Sequence, residues 1–455
     1  MNKKRSRMGK IGKANSTDLP SIVAAVKSSN ILKMARTAFL TGVSLYALTL
    51  PAQSDFQGST HMVSFEEDTI DYNRAEAHDP VAQLQQRLEK GELKFAYDEK
   101  LGYLPAVLAA LKVDKSSQML VFSKTSLQRE RISPQTPRSL FFNDNVYVGF
   151  IPGAPLLEFS AADPKLGGVF YTLEQSESTP PRFTRSNQCL ECHASSKTMG
   201  VPGHLVRSFA TDAFGGVDLN TGISLVNHRT PLAERWGGWY VTGTHGAQTH
   251  RGNLVGKEDF ARQEKKPNFH GNLASLGKFF DTTRYATPHS DLVALMVLEH
   301  QTHMQNFLTR LNYEATLALK QYGHLNYTRS ITEAFLKYLL FVEEAPLAGP
   351  VQGTSNFTKE FEQLGPRDAR GRSLRQFDLR TRMFKYPCSY LIYSDVFDGL
   401  PAPMKEKIYQ QLWEILAGQS THPDFQKIPP ETRQAIREIL VATKTDLPAC
   451  WKKTE

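Results

Sequence analysis

The chain has 455 residues and a formal net charge of +8, with 40% hydrophobic and 22% charged residues; this is the length of two or three ordinary domains and the composition of a chain with a real core. The surplus charge is local: residues 1–54 carry nine basic side chains and one acid, Asp18, which leaves 45 basic and 45 acidic residues in the remainder. A neutral body excludes a general phosphate-binding footprint, and nucleic acid with it.

Thr37–Leu50 is an uncharged, mostly apolar run behind Lys33 and Arg36, and Ala52-Gln53-Ser54 follows with small residues where a signal peptidase reads. That order predicts an export signal within 1–54 and a periplasmic or otherwise exported protein. The run is about half to two-thirds of a bilayer span, so no permanent transmembrane helix is expected once the signal is removed. The competing reading is a buried helix at the start of a domain.

Residues 55–180 predict a mixed α/β region. Asp79–Leu93 has helical spacing with Val81, Leu84 and Leu88 on one face, and Leu104–Val113 is a short helix entered at Pro105. Gln118–Ser123 reads as a strand. Asn145–Ile151, Leu156–Phe159 and Gly168–Leu173 are rich in β-branched and aromatic residues, which predicts a small antiparallel sheet that ends before Pro180-Pro181. Residues 181–275 are rich in Gly, His and aromatics without a period, the signature of a loop region wrapped around a cofactor. Residues 276–348 are helical, with helices over Asp291–Gln321 and Ile331–Val342. The polar, Gly-rich stretch 349–375 reads as a linker or long surface loop. Residues 376–455 hold helices near Pro403–Leu416 and Pro430–Thr443, each with Pro close to its start. The expected class is α+β, predominantly helical, with a small sheet before the loop region and a helical C-terminal half.

Four cysteines are far too few for a disulfide scaffold. Cys388 and Cys450 read equally well as a pair or as two separate thiols. Cys189-Leu-Glu-Cys192-His193 is the distinctive string. Two thiols three residues apart face one way on a helical turn and can add to the two vinyl groups of one haem, and the histidine that follows points its imidazole at the iron. One covalent haem c on Cys189 and Cys192, with His193 as proximal ligand, is therefore expected. A thioredoxin-like thiol pair and a structural zinc site completed by His204 are the rivals. A single motif disfavours a di-haem peroxidase.

The sixth iron ligand decides between a carrier and an enzyme. His250 and His245 are the leading candidates, within Trp236-Gly-Gly-Trp-Tyr-Val-Thr-Gly-Thr-His-Gly-Ala-Gln-Thr-His250, with Met199 and His204 behind them. Arg207, Arg229, Arg235 and Arg251 cluster in the same region and read equally well as partners for propionates or as surface charges. On the long helix, Glu299 and His303 share a face, as a salt-bridged packing pair or, on a sharper reading, as an acid/base pair beside the haem.

From about residue 139 onward the chain resembles exported bacterial proteins described only as cytochrome c-domain proteins. The likeness rests on Leu140-Phe-Phe-Asn-Asp-Asn-Val-Tyr-Val-Gly149, Cys189-Leu-Glu-Cys-His-Ala-Ser-Ser196, Gly203-His-Leu-Val-Arg-Ser208, Arg235-Trp-Gly-Gly-Trp-Tyr-Val-Thr-Gly243 and Pro387-Cys-Ser-Tyr-Leu-Ile-Tyr-Ser394. The resemblance implies haem binding and electron transfer. The motif lies mid-chain in a large body, so a compact small cytochrome c alone is not expected. The expected function is single-electron transfer with a redox partner protein or a small donor or acceptor; the alternative is a peroxidase-like haem enzyme with an open or weakly held sixth position.

Overall fold

Asp79 starts the first helix: its carboxylate accepts from the backbone N–H of Val81 and Ala82, with Pro80 in the first turn, a residue pattern that begins helices. The computed structural model describes residues 63–219 and 222–452, so the expected export signal lies outside the described residues. In chain order the elements open with α1 (Pro80–Glu89), α2 (Leu104–Ala110) and six strands: β1 (Met119–Val121), β2 (Arg138–Phe142), β3 (Val146–Phe150), β4 (Leu156–Asp163), β5 (Gly167–Glu174) and β6 (Phe183–Arg185). Short pieces follow: α3 (Leu190–His193), β7 (Arg207–Ser208), β8 (Ser224–Leu225), β9 (Trp239–Tyr240), β10 (Gly243–Thr244) and α4 (Gly256–Lys265). Then come α5 (Leu292–Tyr322), α6 (Arg329–Leu339), β11 (Gln352–Gly353), α7 (Phe357–Gln363), α8 (Asp395–Asp398), α9 (Ala402–Leu416), α10 (Pro423–Gln426) and α11 (Pro430–Thr443).

The class is α+β. The sheet is larger than expected: seven antiparallel strands in the order β6-β5-β4-β3-β2-β1-β9. Alternation along each strand gives the sheet two faces. Phe141, Val148, Phe159 and Tyr171 lie in register on one face and pack with Val81, Leu84 and Val107 of α1 and α2 in one core. On the other, Phe142, Tyr147, Ser160 and Phe170 share a row, as do Leu140, Gly149 and Glu158, while Val121 joins Arg138 to Trp239. The second, larger core holds α5, α6, α9 and α11 together.

Helix α5 matches the expectation closely. Its N-cap Asp291 accepts from Val293 and Ala294, and Gly323 ends it at φ 70° in the left-handed region, where glycine carries no Cβ penalty. The stretch 349–375, expected as a linker or surface loop, is instead packed: it contains β11 and α7, and Phe357 and Phe361 are buried in the larger core. Its scattered Gly and charged residues masked a one-turn aromatic pair at helical spacing. All described residues fall in one compact unit. Among them, no helix is long and apolar enough to cross a membrane.

Candidate functional site

Edge strand β6 delivers the chain to the motif. The Ser186 N–H donates to the Phe170 carbonyl at 2.9 Å, after which a 3-10 turn over Asn187–Cys189 runs directly into α3. Cys189 and Cys192 therefore lie on one continuous turn, both free thiols, the second exposed. His193 closes the turn. Its Nδ1 lies 2.9 Å from the Gly203 carbonyl. A carbonyl only accepts, so Nδ1 carries the proton and Nε2 keeps its lone pair. Burial pushes the His193 pKa down to about 4, which keeps the ring neutral.

Both thiols and His193 line a cavity of about 650 Å³, within the range of small-molecule and cofactor sites. Its floor is the second sheet face: Val121, Arg138, Leu140, Tyr147, Gly149, Glu158, Ser160, Phe170 and Trp239 all line it. Leu127, Val206, Phe209 and Leu298 add apolar wall. Gly149 leaves space in the middle of the floor; a Cβ there would meet nothing closer than 3.5 Å. The charged lining is Lys124, Arg129, Arg138 and Arg207 against Glu158 and Glu191, an excess of two positive charges.

Glu158 is the inward carboxylate of β4. It accepts from Arg138 at 2.7 Å, Ser126 at 2.7 Å and Gln128 at 3.3 Å. Burial pushes its pKa up, but Arg138 and the hydroxyl and amide donors outweigh it and hold the carboxyl below its ordinary value. Arg207 sits over the Phe209 ring at 5.4 Å, and no carboxylate among the described residues pairs with it as Glu343 does with Arg229 and Glu299 with Arg235.

The four candidate sixth ligands separate. His204 alone lines the cavity, with its Nε2 2.5 Å from the Ser160 hydroxyl. Met199 sits in a left-handed turn at φ 60°, buried away from the lining. His245 and His250 form a separate buried pair with ring centres 4.7 Å apart, the latter against Trp236, and neither lines the cavity. They follow Trp239 closely in sequence, but His250 packs against Trp236, which is itself fully buried and outside the lining. Of the four arginines, Arg207 lines the cavity; Arg229 pairs with Glu343 at 3.2 Å, and Arg235 is buried against Glu299. Arg251 is half-buried and absent from the lining. The expected pairing of Glu299 with His303 is not made. Glu299 takes Arg235 and the Trp236 indole N–H at 3.1 Å, while the His303 ring packs on Phe307 and Tyr338. A guanidinium reaching from outside the helix is a stronger partner for a buried carboxylate than a neutral imidazole one turn away.

The rival readings of the motif lose support. Among the described residues no group of three or more His, Cys, Asp or Glu is placed to hold a metal ion, so a zinc site lacks ligands. A short strand does precede the motif, as in a thioredoxin-like pair. Yet burial raises the Cys189 pKa, whereas a redox-active thiol of that kind is held low. Cys388 is buried and Cys450 half-buried, both free.

Sequence reasoning missed the floor. The signal was there in Leu156-Leu-Glu-Phe-Ser160, where polar Glu158 and Ser160 alternate with apolar residues in a strand otherwise fit for a core. Compared with protein-family models, curated proteins and solved structures, the chain has no match.

Proposed function

We propose that this chain is an exported mono-haem c-type cytochrome that passes single electrons to a redox partner protein or a small donor or acceptor. One observation carries the reading: His193 donates from Nδ1 to a backbone carbonyl, which leaves Nε2 its lone pair, and lines a cofactor-sized, largely apolar cavity together with two thiols. Histidine ligands are held in that way. Cys189 and Cys192 would carry the haem through thioether bonds and His193 would bind its iron. The lining's excess of two positive charges suits two propionates. The haem would supply one-electron chemistry at iron. The sheet face and Phe170, Phe209 and Trp239 would exclude water and fix its plane. The resemblance to cytochrome c-domain proteins and the leader agree with this reading.

A second reading, a peroxidase-like haem enzyme with an open or weakly held sixth position, is favoured by one feature. No methionine lines the cavity among the described residues, and the one further histidine has Nε2 engaged by Ser160.

Visible spectroscopy of protein made with the haem-attachment machinery tests both. The parent is expected to show covalent haem, and Cys189→Ala/Cys192→Ala none. Gly149→Phe puts a ring on the floor at a site where a Cβ meets nothing closer than 3.5 Å, and it is expected to lower haem incorporation while circular dichroism still reports the folded chain. A parent without covalent haem would overturn the proposal. A low-spin spectrum indifferent to carbon monoxide identifies the carrier; a high-spin, ligand-binding spectrum identifies the enzyme.

A further inference from the structure

The loop between His193 and His204 is tied to α5 by a residue that touches neither thiol nor imidazole. Gly203 and His193 bond twice: Gly203 N–H donates to the His193 carbonyl at 2.8 Å, and His193 Nδ1 donates to the Gly203 carbonyl at 2.9 Å. What fixes Gly203 is the next peptide. Asn306 accepts the His204 N–H on Oδ1 at 2.7 Å and donates from Nδ2 to the His204 carbonyl at 2.6 Å. Both groups of one residue are thereby held by a single side chain, itself 1% exposed. The fit is close enough to require glycine at 203, since a Cβ there would lie 2.2 Å from Asn306 Oδ1. Helical spacing extends the grip. Thr302, one turn earlier, lines the cavity, and Arg310, one turn later, donates to the Met199 carbonyl at 2.8 Å.

We propose that Asn306 is a positioning residue for His193: by fixing the 203–204 segment it sets the orientation of the imidazole and the strength of its Nδ1 hydrogen bond. The proposal rests on the haem reading given above. A firmly held Nδ1–H makes Nε2 a stronger donor, and such outer partners typically matter 10–100-fold at a metal site. A stronger imidazole donor favours the oxidised iron. Releasing the clamp therefore weakens the ligand and raises the reduction potential.

Three variants of the haem-loaded full chain test this, read by midpoint potential and by the iron–imidazole stretching frequency in resonance Raman. Asn306→Ala is expected to lose about tenfold of the preference for oxidised iron, about 59 mV toward positive potential for a one-electron couple, with a lower stretching frequency. Asn306→Asp keeps the acceptor for the His204 N–H and should fall between, and it carries the test if the alanine variant does not fold. Asn312→Ala is the control. It removes a comparably buried α5 asparagine that donates to Pro164 and Lys165 carbonyls at 2.9 and 3.3 Å, so it should cost stability and leave both readouts unmoved. Parent values in both Asn306 variants, or an equal shift in Asn312→Ala, would overturn the proposal. If the parent carries no covalent haem, the haem reading fails separately. The clamp is then read by ¹⁵N NMR of His193: a single Nδ1–H tautomer in the parent and a mixture in Asn306→Ala supports it, and no change overturns it.

Discussion

Glu158 shows how one residue couples the cavity floor to stability. Its side chain is 14% exposed and that of Arg138 16%, so the pair is largely removed from water and each charge depends on the other. The folded pKa of Glu158 lies below its ordinary value. The stability it contributes is thus present above the unfolded glutamate range and is lost as pH falls through the folded pKa. Denaturant unfolding between pH 7 and pH 3 should show this loss in the parent and a smaller one in Glu158→Gln. Arg138→Leu leaves the carboxylate buried without its cation and should cost about 3–5 kcal/mol at pH 7, with part of the cost recovered in acid as the carboxyl protonates. An Arg138→Leu penalty below about 1 kcal/mol, the scale of an exposed pair, would show the pair to be solvated. Neither residue was legible beforehand as part of the site. Cys189, Cys192 and His193 were, because their spacing alone encodes a chemistry. Arg138 and Glu158 acquire meaning only from the register that sets β2 beside β3 and β3 beside β4.

At the scale of elements, periodicity was a good guide wherever one face is buried against one neighbour. Helices α1, α5, α9 and α11 have the expected positions because their apolar residues recur at helical spacing and their starts are marked, by Asp caps in α1 and α5 and by Pro in the first turn of α9 and α11. Two-residue strands such as β9 and β10 carry no period to detect, and α7 hides in a polar stretch. Helix α5 is the element on which the rest depends, and its buried first turn is held by one side chain. Asp291 Oδ1 accepts from Val293 and Ala294 at 2.9 and 3.1 Å, while Oδ2 accepts from the Ser355 N–H and hydroxyl at 2.8 and 2.9 Å. Asp291→Ala should therefore cost more than an ordinary cap, about 2 kcal/mol or above, and Asp291→Asn clearly less. Equilibrium unfolding in urea measures both; equal losses would mean that the side chain's space, and not its acceptors, matters.

For the whole molecule, the antiparallel meander from β1 to β6 is built from neighbours in sequence, and its far edge leads straight into the motif. The loop-rich middle of the chain contributes both edge strands of that sheet, β6 and β9, and the wall residues Val206, Arg207, Phe209 and Trp239 to the cavity. That assembly was not legible in the sequence, since it depends on contacts between distant segments with no shared pattern.

The pairing of β1 with β9 sets an order of events in time. Leu120 meets Tyr240 across the sheet, whereas each step from β2 to β6 joins strands separated by a short connection. Distant pairings close late, because the chain between them must lose its freedom first. Pulse-labelling hydrogen exchange during refolding should thus protect the amides of β3 and β4 before that of Phe122, which donates to Gly238 at 2.9 Å beside β9; simultaneous protection would contradict this order. Until that last ribbon docks, the wall carrying Trp239 is missing and the face bearing Cys189 and Cys192 is open. On the haem reading proposed above, the haem would then meet an unfinished fold, with covalent attachment preceding the closure that seals it in.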